Sequence, residues 1–173
     1  MYLVSIYFDE HTNKVLNRYI KGICGCTGNS FMIDNNVPGH ITVLSIEAPS
    51  KDVLMERFDA AVNNVASGNI IIPSIGQLLP YVIYAAPVMN EYLLELQQNM
   101  INAFSDIEGV SISKYYSKNS WMPHVTLGKT LDEKQMKSAF EYLQKHFLPF
   151  EAKVEKIGLA KTNPHEDLLI REL

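Results

Sequence analysis

His40-Ile41-Thr42-Val43 is answered in the second half of the chain by His124-Val125-Thr126-Leu127. Each copy follows a proline: Pro38 lies two residues before the first histidine, and Pro123 directly precedes the second. In a β-strand, residues i and i+2 point to the same face. Each copy therefore presents an imidazole and a hydroxyl together, and turns Ile41 and Val43, or Val125 and Leu127, toward a core. Two such strands brought together supply two imidazoles and two hydroxyls. That set is sufficient for metal-free acid–base chemistry on a phosphate.

Around these words the chain alternates strand and helix patterns. Tyr2 to Phe8 reads as a strand, and Asn13 to Ile23 as an amphipathic helix that the glycines from Gly22 to Gly28 interrupt. Pro38 opens a strand running through Ile46, and Ser50 is placed to cap a helix containing Val53, Leu54, Phe58, Ala61, Val62 and Val65. Ile70 to Gly76 and Tyr81 to Ala86 read as strands joined by a turn, followed by a helix capped by Asn90. Val110 to Tyr116 and Trp121 to Gly128 follow as strands. Thr130 and Glu133 have the spacing of a capping box for a helix that Pro149 stops. Glu151 to Ala160 and Leu168 to Ile170 close the chain as strands.

The two halves repeat one order. Each His/Thr strand leads to a helix, then to a strand ending in Ile-Gly, then to a further strand. The glycine lies 36 residues after the histidine in the first half (Gly76) and 34 in the second (Gly158). A single His-x-Thr strand is commonly no more than a polar face. Two copies at matching places of a repeated unit are a different matter. The reading is one α+β domain over residues 1–173, bilobal and duplicated about a pseudo-two-fold axis, with a central cleft between the His/Thr strands.

The totals fit this. A chain of 173 residues with 47% apolar and 20% charged residues can bury a real core. A net charge of −4 argues against tracking a long nucleic-acid duplex, yet allows a small anionic substrate held by local donors. Cys24 and Cys26 are too close for an easy disulfide and too few for a zinc site, which suits a reduced, cytoplasmic protein. Met1 to Phe8 has no signal-peptide features. The apolar window Ile70 to Met89 holds Pro73, Gly76, Pro80 and Pro87, which suits strands better than a membrane span. Nothing demands a partner subunit, so a monomer is expected.

Other motifs are weaker. Gly22-x-x-Gly25-x-x-Gly28 lacks the Lys-Ser/Thr ending of a phosphate loop and follows a helix where such a loop follows a strand. There is no Gly-x-Ser-x-Gly elbow. His11, His146 and His165 read as surface residues, and no third ligand accompanies His40 and His124 to make a catalytic metal site. Phe8, Tyr115, Tyr116 and Trp121 are candidates for stacking on a base, and Lys118 and Lys129 for attracting phosphate; core packing and a solvated surface are the competing readings.

In its paired motifs, repeat and length, the chain resembles the 2H phosphoesterase superfamily, which includes 2′-5′ RNA ligase-like proteins and cyclic nucleotide phosphodiesterases. The resemblance spans nearly the whole chain. It implies phosphodiester chemistry on 2′,3′-cyclic or 2′-5′-linked nucleotide or RNA substrates, without metal or other cofactor. His40, Thr42, His124 and Thr126 match its two motifs. It also implies His124 as base and His40 as acid, an assignment the near-equivalent residues themselves leave open. Gly39 stands where many members have a second proline, which is expected to loosen the entry to the strand slightly. Histidine's unperturbed pKa, about 6.5, allows one imidazole to be neutral while another is protonated near neutrality. Two alternatives remain: a module that binds a nucleotide or RNA end in the same cleft without turning it over, and a 2′-5′ RNA ligase or cyclic-oligonucleotide hydrolase.

Overall fold

The computed structural model describes residues 1–162 and 166–173. Among these residues nine strands form one sheet: β1 (Tyr2–Phe8), β2 (His40–Glu47), β3 (Gly68–Ile72), β4 (Ser74–Leu78), β5 (Val82–Ala86), β6 (Ser111–Ile112), β7 (Val125–Gly128), β8 (Phe150–Lys161) and β9 (Glu166–Glu172). Five helices accompany them: α1 (Glu10–Thr27), α2 (Phe31–Asp34), α3 (Asp52–Val62), α4 (Glu91–Phe104) and α5 (Glu133–His146). The strand order is β3-β8-β1-β2-β7-β5-β4, with β6 beside β2 and β9 beside β8. Every pairing is antiparallel.

The two ends of this order, β3 and β4, are consecutive in sequence and separated by Pro73 alone. The sheet must therefore curl until its ends approach, and Val88 N–H donates to the Ile71 carbonyl at 2.8 Å where the stretch after β5 meets β3. Proline cannot donate to a ladder, so it marks the break between these strands.

Leaving out α2 in the first run, and β6 with the 3₁₀ turn Lys114–Tyr116 in the second, the order strand-helix-strand-helix occurs twice, as β1-α1-β2-α3 and as β5-α4-β7-α5. The helices are exchanged. First-half α1 packs on α5 and β7, and second-half α4 packs on α3 and β2. The halves thus share one apolar core, in which Ile41, Val43, Val125 and Leu127 are fully buried.

Several boundaries differ from the sequence reading. Helix α1 begins at Glu10, capped by Asp9, and runs through Gly22 and Gly25 to end at Gly28, whose φ of 72° closes it. Gly22 is there for contact: a Cβ would fall 1.9 Å from the Tyr142 hydroxyl of α5. Ser50 does not cap α3, whose N-cap, Lys51, makes no side-chain bond. The capping box of α5 is Asp132 with Gln135, two residues beyond the expected pair, and Thr130 instead adopts a positive φ of 58° in the turn before it. Val110 to Tyr116 yields only the two-residue β6 and a 3₁₀ turn, Lys114–Tyr116. Asn90 caps α4 as expected, accepting from Leu93 N–H at 3.0 Å. Among the described residues, no helix is long and apolar enough to cross a membrane.

Candidate active site

The two motif strands lie side by side at the centre of the sheet, joined through the antiparallel pair Ile41 and Val125. Extending that register by one residue each way sets His40 opposite Thr126, and Thr42 opposite His124. Residues facing one another in an antiparallel pair share a face, with Cα atoms about 4.5–5.5 Å apart. Ile41 and Val125 are fully buried on the core side. The four flanking residues are half-buried on the other side, two imidazoles and two hydroxyls at alternating corners of a square.

Both histidines are held in the same way. His40 Nδ1 lies 2.8 Å from the Pro38 carbonyl, and His124 Nδ1 lies 2.9 Å from the Met122 carbonyl. A carbonyl oxygen only accepts, so Nδ1 carries the proton in each ring. This fixes the tautomer and leaves Nε2 as the nitrogen that exchanges a proton. In each case the carbonyl belongs to residue i−2, on the turn that brings the chain into its strand.

Thr42 is anchored from the loop before β7. The Trp121 indole N–H donates to the Thr42 carbonyl at 2.9 Å. Tyr116 stands beside the Thr42 side chain; burial raises its phenol pKa, and Thr42 opposes the rise. Gln97 of α4, nearly fully buried, donates to the Tyr116 carbonyl at 3.1 Å and ties this loop to the core.

The other sequence candidates are placed less centrally. Phe8 is only 2% exposed and belongs to the core, so it offers no face to a base. Trp121 is buried, and its indole acts as a strut behind β2. Tyr115 is 67% exposed, with Lys114 Nζ 5.3 Å from its ring centre. Lys118 is exposed, as is Lys129, which lies over Phe31 at 5.7 Å. His11 and His146 are surface residues of α1 and α5. His165 lies outside the described residues. Gly39 does not loosen the strand entry. It is buried, and a Cβ there would meet Leu16 Cδ1 at 2.6 Å, so its lack of a side chain lets α1 close onto the turn before His40.

The sequence reading did not single out Tyr7 and Tyr84. Tyr7 is opposite His40 in the β1–β2 pairing, and Tyr84 is opposite Thr126 in the β5–β7 pairing. Both therefore stand on the face that carries the square. Among the described residues, no group of three or more His, Cys, Asp or Glu side chains could hold a metal ion.

The sequence profile of the 2′-5′ RNA ligase superfamily matches residues 29–166, most of the chain and both motifs. The chain belongs to the 2′-5′ RNA ligase superfamily. Solved structures agree in fold with this 2′-5′ RNA ligase superfamily member. A crystal structure described as a phosphoesterase is 14% identical, with a TM-score of 0.68, covering 99% of this chain and 97% of its own. E. coli LigT complexed with 3′-AMP is 13% identical with a TM-score of 0.67, and the TT0787 protein of Thermus thermophilus is 16% identical with 0.65, at the same coverage of both chains. No functionally curated protein matches the chain in sequence.

Proposed function

We propose that the protein is a metal-independent phosphodiesterase acting on 2′,3′-cyclic phosphate or 2′-5′-linked nucleotide or RNA-end substrates. The observation that carries this reading is the square of His40, Thr42, His124 and Thr126, with both imidazoles held as Nδ1–H tautomers. Membership of the superfamily supports phosphoester chemistry, and the LigT structure holding 3′-AMP supports a nucleotide ligand.

On a 2′,3′-cyclic phosphate, the neutral imidazole takes a proton from water as the water oxygen bonds to phosphorus. The protonated imidazole gives its proton to the departing ribose oxygen as the P–O bond breaks. The product is a phosphomonoester, and the two rings have exchanged protonation states, which solvent resets. Thr42 and Thr126 donate to the non-bridging oxygens as negative charge builds on them. By family resemblance, His124 is the base and His40 the acid in this direction.

Turnover of 2′,3′-cyclic nucleotides and of RNA ending in a cyclic phosphate, measured in EDTA, tests this. General acid–base catalysis contributes about 10²- to 10⁴-fold, so His40→Ala and His124→Ala should each lose at least about that much. The rate should rise and then fall with pH around neutrality, because it needs one ring of each protonation state. Activity surviving both substitutions would sink the proposal. Tight binding without product would make the cleft a binding module instead.

A further inference from the structure

The repeated Ile-Gly pairs have a structural counterpart at the site. Both glycines lie inside strands rather than at their ends, Gly76 in β4 and Gly158 in β8, each on the strand outside the one that flanks a motif strand. Each lies under a tyrosine ring. A Cβ on Gly76 would fall 2.4 Å from Tyr84 Cζ and Oη. A Cβ on Gly158 would fall 3.0 Å from Tyr7 Cε2 and 3.2 Å from the Leu169 carbonyl. Glycine inside a strand marks such a close approach.

Each ring lying over a glycine also lies against a motif histidine. Tyr84 and His124 have ring centroids 5.3 Å apart at 57°, and Tyr7 and His40 have centroids 6.1 Å apart at 41°. The face therefore reads symmetrically outward from its centre: histidine, tyrosine, glycine on both sides, over three strands in each half. Tyr84 also places its hydroxyl 3.8 Å from the sulfur of Met122, the residue whose carbonyl holds His124 Nδ1. Neither ring was assigned a part in the chemistry above.

We propose that Tyr7 and Tyr84 are a matched pair of positioning residues, each seated on a strand glycine and holding its neighbouring imidazole so that Nε2 faces the phosphate. The Nδ1–H bond alone leaves the imidazole able to break that bond and rotate about χ2, which would turn Nε2 away. A ring packed against the imidazole resists the rotation. Aromatic pairs of this kind shift a two-state equilibrium by about 2- to 12-fold, and small misplacements of a reacting group are costly in rate. The ring is what matters here, and the hydroxyl is not. Tyr7 keeps its proton throughout the neutral range, because burial, helped by the Asp167 charge, pushes its pKa up to about 12.

The kinetic arm rests on the proposed phosphodiesterase; the spectroscopic arm does not. Tyr84→Phe and Tyr7→Phe should keep kcat, KM and the pH profile of the parent. Tyr84→Leu and Tyr7→Leu should lower kcat about 3- to 30-fold with KM changed less than about twofold. Gly76→Ala, which drives a methyl into the Tyr84 ring, should reproduce Tyr84→Leu if the Leu variant folds poorly. Tyr81→Ala, on the exposed hairpin tip, is the control that should change nothing. In the ligand-free protein, ¹⁵N shifts of the His124 ring should show a single Nδ1–H tautomer in the parent and Tyr84→Phe, and a mixture in Tyr84→Leu and Gly76→Ala.

An unchanged tautomer in both Tyr84→Leu and Gly76→Ala overturns the proposal. So does a rise in KM at constant kcat, which would make the ring a wall for the base. A loss in Tyr84→Phe equal to that in Tyr84→Leu overturns it too, by giving the hydroxyl the work. If the parent turns over none of the offered substrates, the phosphodiesterase reading fails while the tautomer measurement still decides this one.

Discussion

At the scale of single residues, Trp121 and Tyr116 converge on Thr42 from the loop before β7, the indole N–H on its carbonyl and the phenol beside its side chain. Whether a loop aromatic faces a cleft or the core depends on tertiary partners such as Gln97, which lie far away in sequence. Trp121→Phe keeps most of the buried ring and removes the N–H, leaving the Thr42 carbonyl short of a donor. We expect a loss of about 1–3 kcal/mol in denaturant unfolding and a lower kcat. Tyr92 gives the opposite sign. Its hydroxyl is buried without a hydrogen-bond partner among the described residues, and burial pushes its pKa up to about 12. Tyr92→Phe should be neutral or stabilising by up to about 1 kcal/mol. Tyr7 and Tyr92 stay protonated in the fold at a pH where the unfolded chain has lost those protons. Their contribution is therefore complete below about pH 10 and lost as pH rises toward 12. With allowance for solvent screening, the fall should be about 1–3 kcal/mol, and smaller in Tyr92→Phe. Unfolding midpoints between pH 9 and 12 would show it.

At the scale of elements, periodicity located every long helix, and the errors lie at their ends. The apolar stripe of α1 is legible as Val15, Leu16, Tyr19, Ile20 and Ile23, of which Val15 is partly buried and the other four are buried. Gly22 and Gly25 made the helix look finished because propensity treats every internal glycine alike. The fold separates them: Gly22 is pressed by Tyr142, whereas a Cβ on Gly25 would meet nothing within 4 Å. The same substitution should therefore act with opposite sign three residues apart. Gly25→Ala should stabilise by about 0.5–1 kcal/mol through a less flexible unfolded chain and better helix propensity. Gly22→Ala gains the same propensity but must push the Tyr142 ring aside, for a net loss of about 1 kcal/mol or more. Urea midpoints of the two variants against the parent decide it; equal shifts would mean that α1 and α5 do not approach as closely as described. The capping box of α5 shows the same limit. Its chemistry was expected, yet Asp132 and Gln135 supply it because Thr130 is used up in the turn.

At the scale of the whole molecule, the repeat was legible because each half carries the same ordered set of words. The exchange of α1 and α4 between halves was not, since no local pattern says which half's sheet a helix will cover. Charge is distributed as unevenly as the motifs are evenly placed. The chain carries a net −4, yet between Glu108 and Asp132 there is no acidic residue, while Lys114, Lys118 and Lys129 fall in that interval together with the second motif. Lys114 and Lys118 are exposed on the loop that sets Tyr116 beside Thr42, and the exposed Tyr115 ring lies between them in sequence. Exposed lysines beside an aromatic ring suit a single-stranded nucleic acid continuing beyond the reacting phosphate. A mononucleotide has no further phosphate for them to meet. Each phosphate neutralised on a single strand contributes about 0.7 to the slope of log affinity against log salt. The KM of a short RNA ending in a 2′,3′-cyclic phosphate should then rise with salt with a slope about 1.4 greater than that of the cyclic mononucleotide, if Lys114 and Lys118 each meet one phosphate. Lys114→Gln and Lys118→Gln should each remove about half of the difference and leave kcat on the mononucleotide unchanged. Equal slopes for the two substrates would confine recognition to the square of His40, Thr42, His124 and Thr126, and would make the acid-free interval a matter of surface composition alone.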